Sequence, residues 1–206
     1  MIIAITTAPS PISTSDSFYR FMDRCLQQLA STRPGYRFII ISNREHLFTT
    51  GRQVDFVYAS PKGTSSLSLK FWYDYQLPRI IKKHKADCWI ALDGLCSLRS
   101  RVPQLLFVTQ TSFLLQRSAM TKKQVSLYRK RMPASLQKAR QVVTLSAFSK
   151  TQLLEKYNCS QEKISLCHPV PDPAFRLVDW EEKEQIKEIY SEGKEYFLFS
   201  GSIDPG

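Results

Sequence analysis

Apolar positions along this chain follow two rhythms that alternate. Residues 2–6, 38–41, 54–58, 88–92, 105–108, 142–145, 164–167 and 196–200 are short, largely continuous apolar runs rich in Ile, Val, Leu and Phe. Runs of this length predict strands, and where the run is unbroken, strands covered on both faces. Between them apolar residues return every three or four positions, the spacing of one helix face. Phe18, Phe21, Met22, Cys25, Leu26 and Leu29 form such a stripe, with Ser15 or Asp16 as its cap. Leu67, Phe71, Trp72 and Tyr75 form another, interrupted by Pro78, which suits the first position of a second helical piece carrying Ile80 and Ile81. Residues 122–139 place Val125, Tyr128, Met132, Leu136 and Ala139 on one side, with Pro133 as a kink or restart. Ser146 caps a helix with Leu153, Leu154 and Tyr157, and residues 180–190 are predicted helical. Strand and helix therefore alternate, which predicts an α/β fold: a mostly parallel sheet with helices on both faces.

Composition narrows the class. With 206 residues, 43% hydrophobic and 12% aromatic, the chain can bury a full core and is not of disordered type. Its first residues lack a basic lead-in and meet Pro9 and Pro11 at once, so they read as a strand and not a leader. No apolar run is long enough to cross a bilayer, and the expected location is cytoplasmic. Five cysteines and three histidines are scattered without the spacing of a zinc site, so neither a structural metal nor a cofactor is expected.

Charge is uneven. The net charge is +11, and between Asp93 and Glu155 there is no carboxylate but eleven Lys and Arg residues, Arg99 and Arg101 among them. An anionic partner is one reading: a phosphorylated acceptor, nucleic acid, or the inner face of a membrane touched peripherally through basic helices. A solvated basic face, including Arg129, Lys130 and Arg131, accounts for the same pattern. No RNP, helix-turn-helix or finger pattern supports nucleic acid. GxGxxG, GxxxxGK[ST] and GxSxG are all absent, and with seven glycines a hidden phosphate cradle is not expected.

More specific text begins at Ser135. The stretch 135–150, Ser-Leu-Gln-Lys-Ala-Arg-Gln-Val-Val-Thr-Leu-Ser-Ala-Phe-Ser-Lys, continues to Glu162-Lys163-Ile164-Ser165 and Asp172-Pro173-Ala174-Phe175. Upstream stand Lys70-Phe71-Trp72-Tyr73 and Leu77-Pro78; downstream, residues 196–205 read Tyr-Phe-Leu-Phe-Ser-Gly-Ser-Ile-Asp-Pro. Together these resemble the family 4 glycosyltransferases of the GT-B fold. The resemblance covers most of the chain and is densest from Ser135 onward. It implies a Rossmann-like acceptor-side domain at 1–170, a linker and helix at 171–195, and at 196–206 the first strand of a nucleotide-sugar-binding domain. This chain would then be the N-terminal half of such a fold and inactive alone. The whole protein would transfer a sugar from a nucleotide-sugar donor to a glycan or lipid-linked acceptor without a metal, as in polysaccharide biosynthesis.

By the same resemblance, acceptor-site candidates are Thr109, Gln110, Thr111, Ser146, Ser149 and Lys150, and donor-side candidates are Gly201 and Ser202. Two departures stand out. Relatives carry His-Asp where this chain has Thr109-Gln110, and Thr and Gln hydrogen-bond but cannot take a proton as a base. Relatives also carry glycines in the first loop, where residues 9–17 have none. A non-catalytic carbohydrate- or partner-binding protein on a degenerate glycosyltransferase fold is the alternative. For Ser146 and Ser149 a helix cap is the simpler role, and for Lys150 a solvated side chain.

Overall fold

The computed structural model describes residues 1–7, 16–43, 48–63, 65–109, 111, 122–169 and 175–199. The chain divides into two compact units, Met1–His168 and Pro169–Gly206.

The first unit is built on seven parallel strands: β1 (Ile2–Thr6), β2 (Arg37–Ser42), β3 (Val54–Tyr58), β4 (Cys88–Ala91), β5 (Gln104–Val108), β6 (Gln141–Thr144) and β7 (Ile164–Leu166). Their order is β3-β2-β1-β4-β5-β6-β7, with every ladder parallel. The chain runs outward from β1 to β3, then returns to place β4 on the other side of β1. That reversal makes the β1–β4 seam a topological switch point, where open α/β sheets hold ligands at the carboxyl ends of the strands.

Continuous apolar runs became central strands because both faces are covered. Phe38, Ile39, Ile40 and Ile41 are all buried, alternating between two cores. On one face helix α1 (Asp16–Thr32) packs Phe18, Tyr19, Met22, Leu26 and Ala30 against Ile3, Ile5, Phe38 and Ile40. On the other, α2 (Ser66–Phe71), α3 (Leu77–Lys83), α4 (Lys122–Lys138) and α5 (Ala147–Tyr157) supply the second core, which holds Trp72, Trp89, Tyr128, Met132 and Leu153. Helices thus cover both faces, and the fold is α/β and Rossmann-like.

Several expectations need correction. In α1 the buried stripe includes Tyr19 and Ala30, while Leu29 is exposed. In the 66–76 region only Trp72 of the expected stripe is buried: Leu67, Phe71 and Tyr75 are exposed, and Leu69 and Tyr73 are buried in their place. Leu69, Trp72 and Tyr73 are themselves three and four positions apart, so a second, equally regular helical stripe is the one that faces the core, and a π-helical turn, Trp72–Gln76, joins α2 to α3. α4 runs unbroken through Pro133. Arg131, read from sequence as part of a wet basic face, is buried against Asp74.

The β4-to-β5 crossover, residues 92–103, contains no helix. Side chains hold it instead. Asp74 accepts from Leu98 N at 3.0 Å and from Arg131 Nη1 and Nη2 at 3.1 and 2.6 Å. Arg131 Nη2 also donates to the Cys96 carbonyl at 3.1 Å. At the far end Gln104 accepts from Ser97 N and donates to Ser97 O, both at 2.8 Å.

In the second unit α6 (Trp180–Ser191) starts at Asp179, whose carboxylate accepts from Glu182 N at 2.9 Å. Buried Lys187 bridges Glu184 and Glu195 at 3.0 and 2.8 Å. Residues 196–199, expected in a strand, form none. A strand's backbone groups need a neighbouring edge, and no strand partner for them occurs among the described residues.

Candidate functional site

Six buried side-chain polar atoms lack a hydrogen-bond partner among the described residues. Four of them are Thr7 Oγ1, Asn43 Oδ1, Asp93 Oδ1 and Thr144 Oγ1. Each lies at or just past the carboxyl end of a strand: β1, β2, β4 and β6 respectively. An unpaired buried donor or acceptor costs roughly 1–3 kcal/mol, so four along one edge is a concentrated expense that a polar ligand or ordered water would relieve.

Asp93 is the only carboxylate in this group. It follows β4 at the switch point, is 2% exposed, and accepts the Tyr73 hydroxyl on Oδ2 at 2.5 Å. Tyr128 Oη donates to the Asp93 backbone carbonyl at 2.9 Å. Gly94 follows with φ +77°, a left-handed turn that a side chain rarely adopts. Burial pushes the Asp93 carboxyl up to about 7, against hydrogen bonds from Tyr73 and backbone groups and the attraction of Arg131, which pull it down. The same burial, reinforced by Asp93 itself, pushes the Tyr73 hydroxyl well above its ordinary range. Tyr73 therefore remains a donor near neutral pH, while Asp93 stands where it can hold or release a proton.

The π-helical turn positions this dyad. It carries Tyr73 toward Asp93 and, one residue on, Asp74 toward Arg131. The Arg131 guanidinium lies 5.4 Å from the Tyr73 ring centroid, joining the two pairs. On β1 of the same seam, Thr6 Oγ1 accepts from Trp89 Nε1 at 2.8 Å.

The residues expected from sequence lie along this edge in part. Thr109 follows β5 and is half-buried; Thr111 is buried. Because Val108 pairs with Thr144, Thr109 and Leu145 leave adjacent strands together. Ser146 Oγ accepts from Ser149 N at 3.1 Å and lies 3.1 Å from Ser149 Oγ, so both serine side chains are engaged in capping α5. Lys150 is half-buried in the first turn of α5. Gln110, Gly201 and Ser202 lie outside the described residues.

Sequence reasoning missed Asp93 and Tyr73. The signal was present: Asp93-Gly94 comes directly after the apolar run 88–92, an acid and a turn glycine at a strand's carboxyl end. Tyr73 was hidden because residues 66–76 offer two stripes of helical spacing, and spacing alone does not say which of them faces the core.

Among the described residues no three or more metal-ligating side chains converge, and no helix is long and apolar enough to cross a membrane.

No family model matches the chain, and no curated protein matches it by sequence. Solved structures do match by shape. WaaG, a glycosyltransferase involved in lipopolysaccharide biosynthesis, superposes with TM-score 0.60 at 11% identity, over 93% of this chain and 52% of WaaG. HepE from Anabaena, in complex with UDP-glucose, gives 0.58 at 11% identity, over 92% and 49%. UDP-GlcNAc 2-epimerase from Neisseria meningitidis, bound to UDP-GlcNAc, gives 0.52 at 10% identity, over 81% and 45%. The chain spans about half the length of each. At these identities the likeness is one of fold: a Rossmann-like α/β sheet shared with part of the glycosyltransferase WaaG, of HepE and of an epimerase.

Proposed function

We propose that this chain is the N-terminal, acceptor-side half of a GT-B glycosyltransferase of family 4. The complete enzyme transfers a hexosyl group from a nucleotide-sugar to a glycan or lipid-linked acceptor. The observation that carries the reading is the row of polar atoms at the carboxyl edge of the sheet that find no partner among the described residues, centred on Asp93 at the switch point. Acceptor hydroxyls both donate and accept hydrogen bonds, and that row offers an acceptor carboxylate beside hydroxyl groups that do either. The fold likeness to WaaG and HepE, the latter solved with UDP-glucose, supports the same class.

Within this reading Thr109, Gln110 and Thr111 orient the acceptor, and Ser146, Ser149 and Lys150 form the adjacent helix start. Asp93 holds the acceptor hydroxyl and exchanges its proton, a role that Thr109 and Gln110 cannot take. Gly201 and Ser202 belong to the donor side, in a second domain that begins after the linker. The protein works in the cytoplasm, with basic helices as its contact to the inner membrane face.

A second reading rests on one feature, the Thr109-Gln110 pair in place of His-Asp: a non-catalytic carbohydrate-binding protein on the same fold. Two measurements separate the possibilities. Amide chemical shifts of the 206-residue chain titrated with UDP-glucose and UDP-GlcNAc are expected to show no saturable binding at the carboxyl edge of the sheet, and micromolar affinity there for either would sink the acceptor-half assignment. Sugar transfer by the complete protein is expected to fall at least 100-fold in Asp93→Asn. Unchanged turnover in that variant removes Asp93 from the chemistry, and absence of turnover in the parent favours the binding protein.

A further inference from the structure

At the opposite, amino-terminal edge of the sheet lies a concavity of about 590 Å³ that the proposed sugar chemistry does not use. Four separate segments wall it: the β4–β5 crossover, the C-terminal end of α4, the start of β6 and residues 160–163. Arg101, Lys138, Arg140 and Lys163 line it against one carboxylate, Glu162. None of the four cations has an ion-pair partner among the described residues. The walls themselves are fixed. Buried Gln104 is tied to Ser97 by two hydrogen bonds, Arg140 N donates to the Gln104 carbonyl at 2.7 Å, and Lys163 Nζ donates to the Gln137 carbonyl at 2.8 Å.

Like charges gathered in one concavity repel, and the repulsion weakens only with salt or with a bound counter-charge. Lys138 is accounted for by the carbonyl end of α4, where a cation complements the helix dipole. Arg101 is not, because it comes from the crossover and belongs to no helix end. Two guanidinium groups with two ammonium groups in one pocket match an anion with several oxygens and more than one charge, which arginine engages by paired hydrogen bonds.

We infer that this concavity is an anion site for a soluble diphosphate or phosphate-ester group. Its position at the other end of the strands separates it from the carboxyl-edge site, and it stands whether or not the chain takes part in sugar transfer.

The test is a titration of the full chain with sodium pyrophosphate at constant ionic strength, followed by calorimetry and by amide chemical shifts. Saturable binding is expected, with shifts confined to residues 100–104, 138–141 and 160–163. Affinity should fall at least ten-fold in the double variant R101Q/R140Q and stay unchanged in Asp93→Asn. Both arginines are exposed, so the double variant is expected to melt with the parent, and a shared melting temperature makes its lost affinity a property of the site. Non-saturable shifts, equal affinity in parent and R101Q/R140Q, or shifts centred on the carboxyl edge would each overturn the inference. So would sedimentation with phosphatidylglycerol vesicles, but not phosphatidylcholine ones, in a protein indifferent to pyrophosphate; that result makes the basic surface a membrane face.

Discussion

The two ends of the sheet treat polar groups in opposite ways. At the amino-terminal edge they are paired. Ile2 N donates to Asp87 Oδ2 at 2.7 Å, Arg37 meets Asp55 at 2.7 Å, and Gln53 Nε2 reaches the carbonyls of Arg33, Pro34 and Tyr36. At the carboxyl edge Thr7, Asn43, Asp93 and Thr144 each leave a buried oxygen without a partner among the described residues. One end is tied down by such pairs, with the cations of the concavity as spare groups among the described residues. The other keeps uncompensated polarity in the place where open α/β sheets bind ligands. Stability and the proposed function are therefore divided by strand end, and substitutions at the two ends should differ in sign as well as in size.

The strongest challenge to that division is the buried pair beneath the carboxyl edge. Asp74→Ala leaves Arg131 charged, buried and without its carboxylate, and is expected to cost about 3–5 kcal/mol in urea denaturation. A loss below 1 kcal/mol would mean that the helix-free crossover does not depend on the pair.

Asp93 gives a smaller effect with a distinctive sign. Its carboxyl is raised to about 7 in the folded chain and is ordinary when unfolded. Between these values the folded state binds more protons, so its contribution is intact at low pH and is lost as pH rises through about 4 to 7. Over that window the parent should lose roughly 2–4 kcal/mol relative to Asp93→Asn. Parallel stability profiles for the two proteins would show that Asp93 titrates normally and is not held in an apolar setting.

Thr144→Val is the finest probe. The methyl replaces a buried hydroxyl that has no partner among the described residues, so stability is expected to hold or to rise by up to about 1 kcal/mol. A fall of more than about 1 kcal/mol would show that the hydroxyl is satisfied by water and would weaken the contrast between the edges.

Much of the frame was legible in the sequence because burial on both faces leaves continuous apolar runs. The boundaries of β1 and β3 follow directly from them, as does the cap at Ser146, whose oxygen accepts the Ser149 amide. What failed did so where a local rule met a tertiary one. The stripe through Leu67, Phe71, Trp72 and Tyr75 obeys helical spacing, yet only Trp72 of it is buried, because Leu69, Trp72 and Tyr73 obey that spacing equally well. Arg131 sits in a run of three basic residues, and only contact with Asp74, distant in sequence, shows it to be core. Residues 196–199 have the composition of a strand, but composition cannot supply a neighbouring edge. The candidate site was half legible: Thr109 and Ser146 lie at strand ends that sequence could place, whereas the Tyr73–Asp93 pair depends on a helix phase that it could not.

The helix-free crossover has a further consequence for how the sheet assembles. Trp89 on β4 pairs with Gln104 on β5, only 15 positions away, whereas Ile3 on β1 pairs with Cys88 on β4, 85 positions away. Loop-closure entropy grows with the logarithm of length, so joining β1 to β4 costs about 1.5 kcal/mol more than joining β4 to β5. In the sheet's assembly, the β1–β4 seam at the topological switch point is the joint with the highest entropic cost.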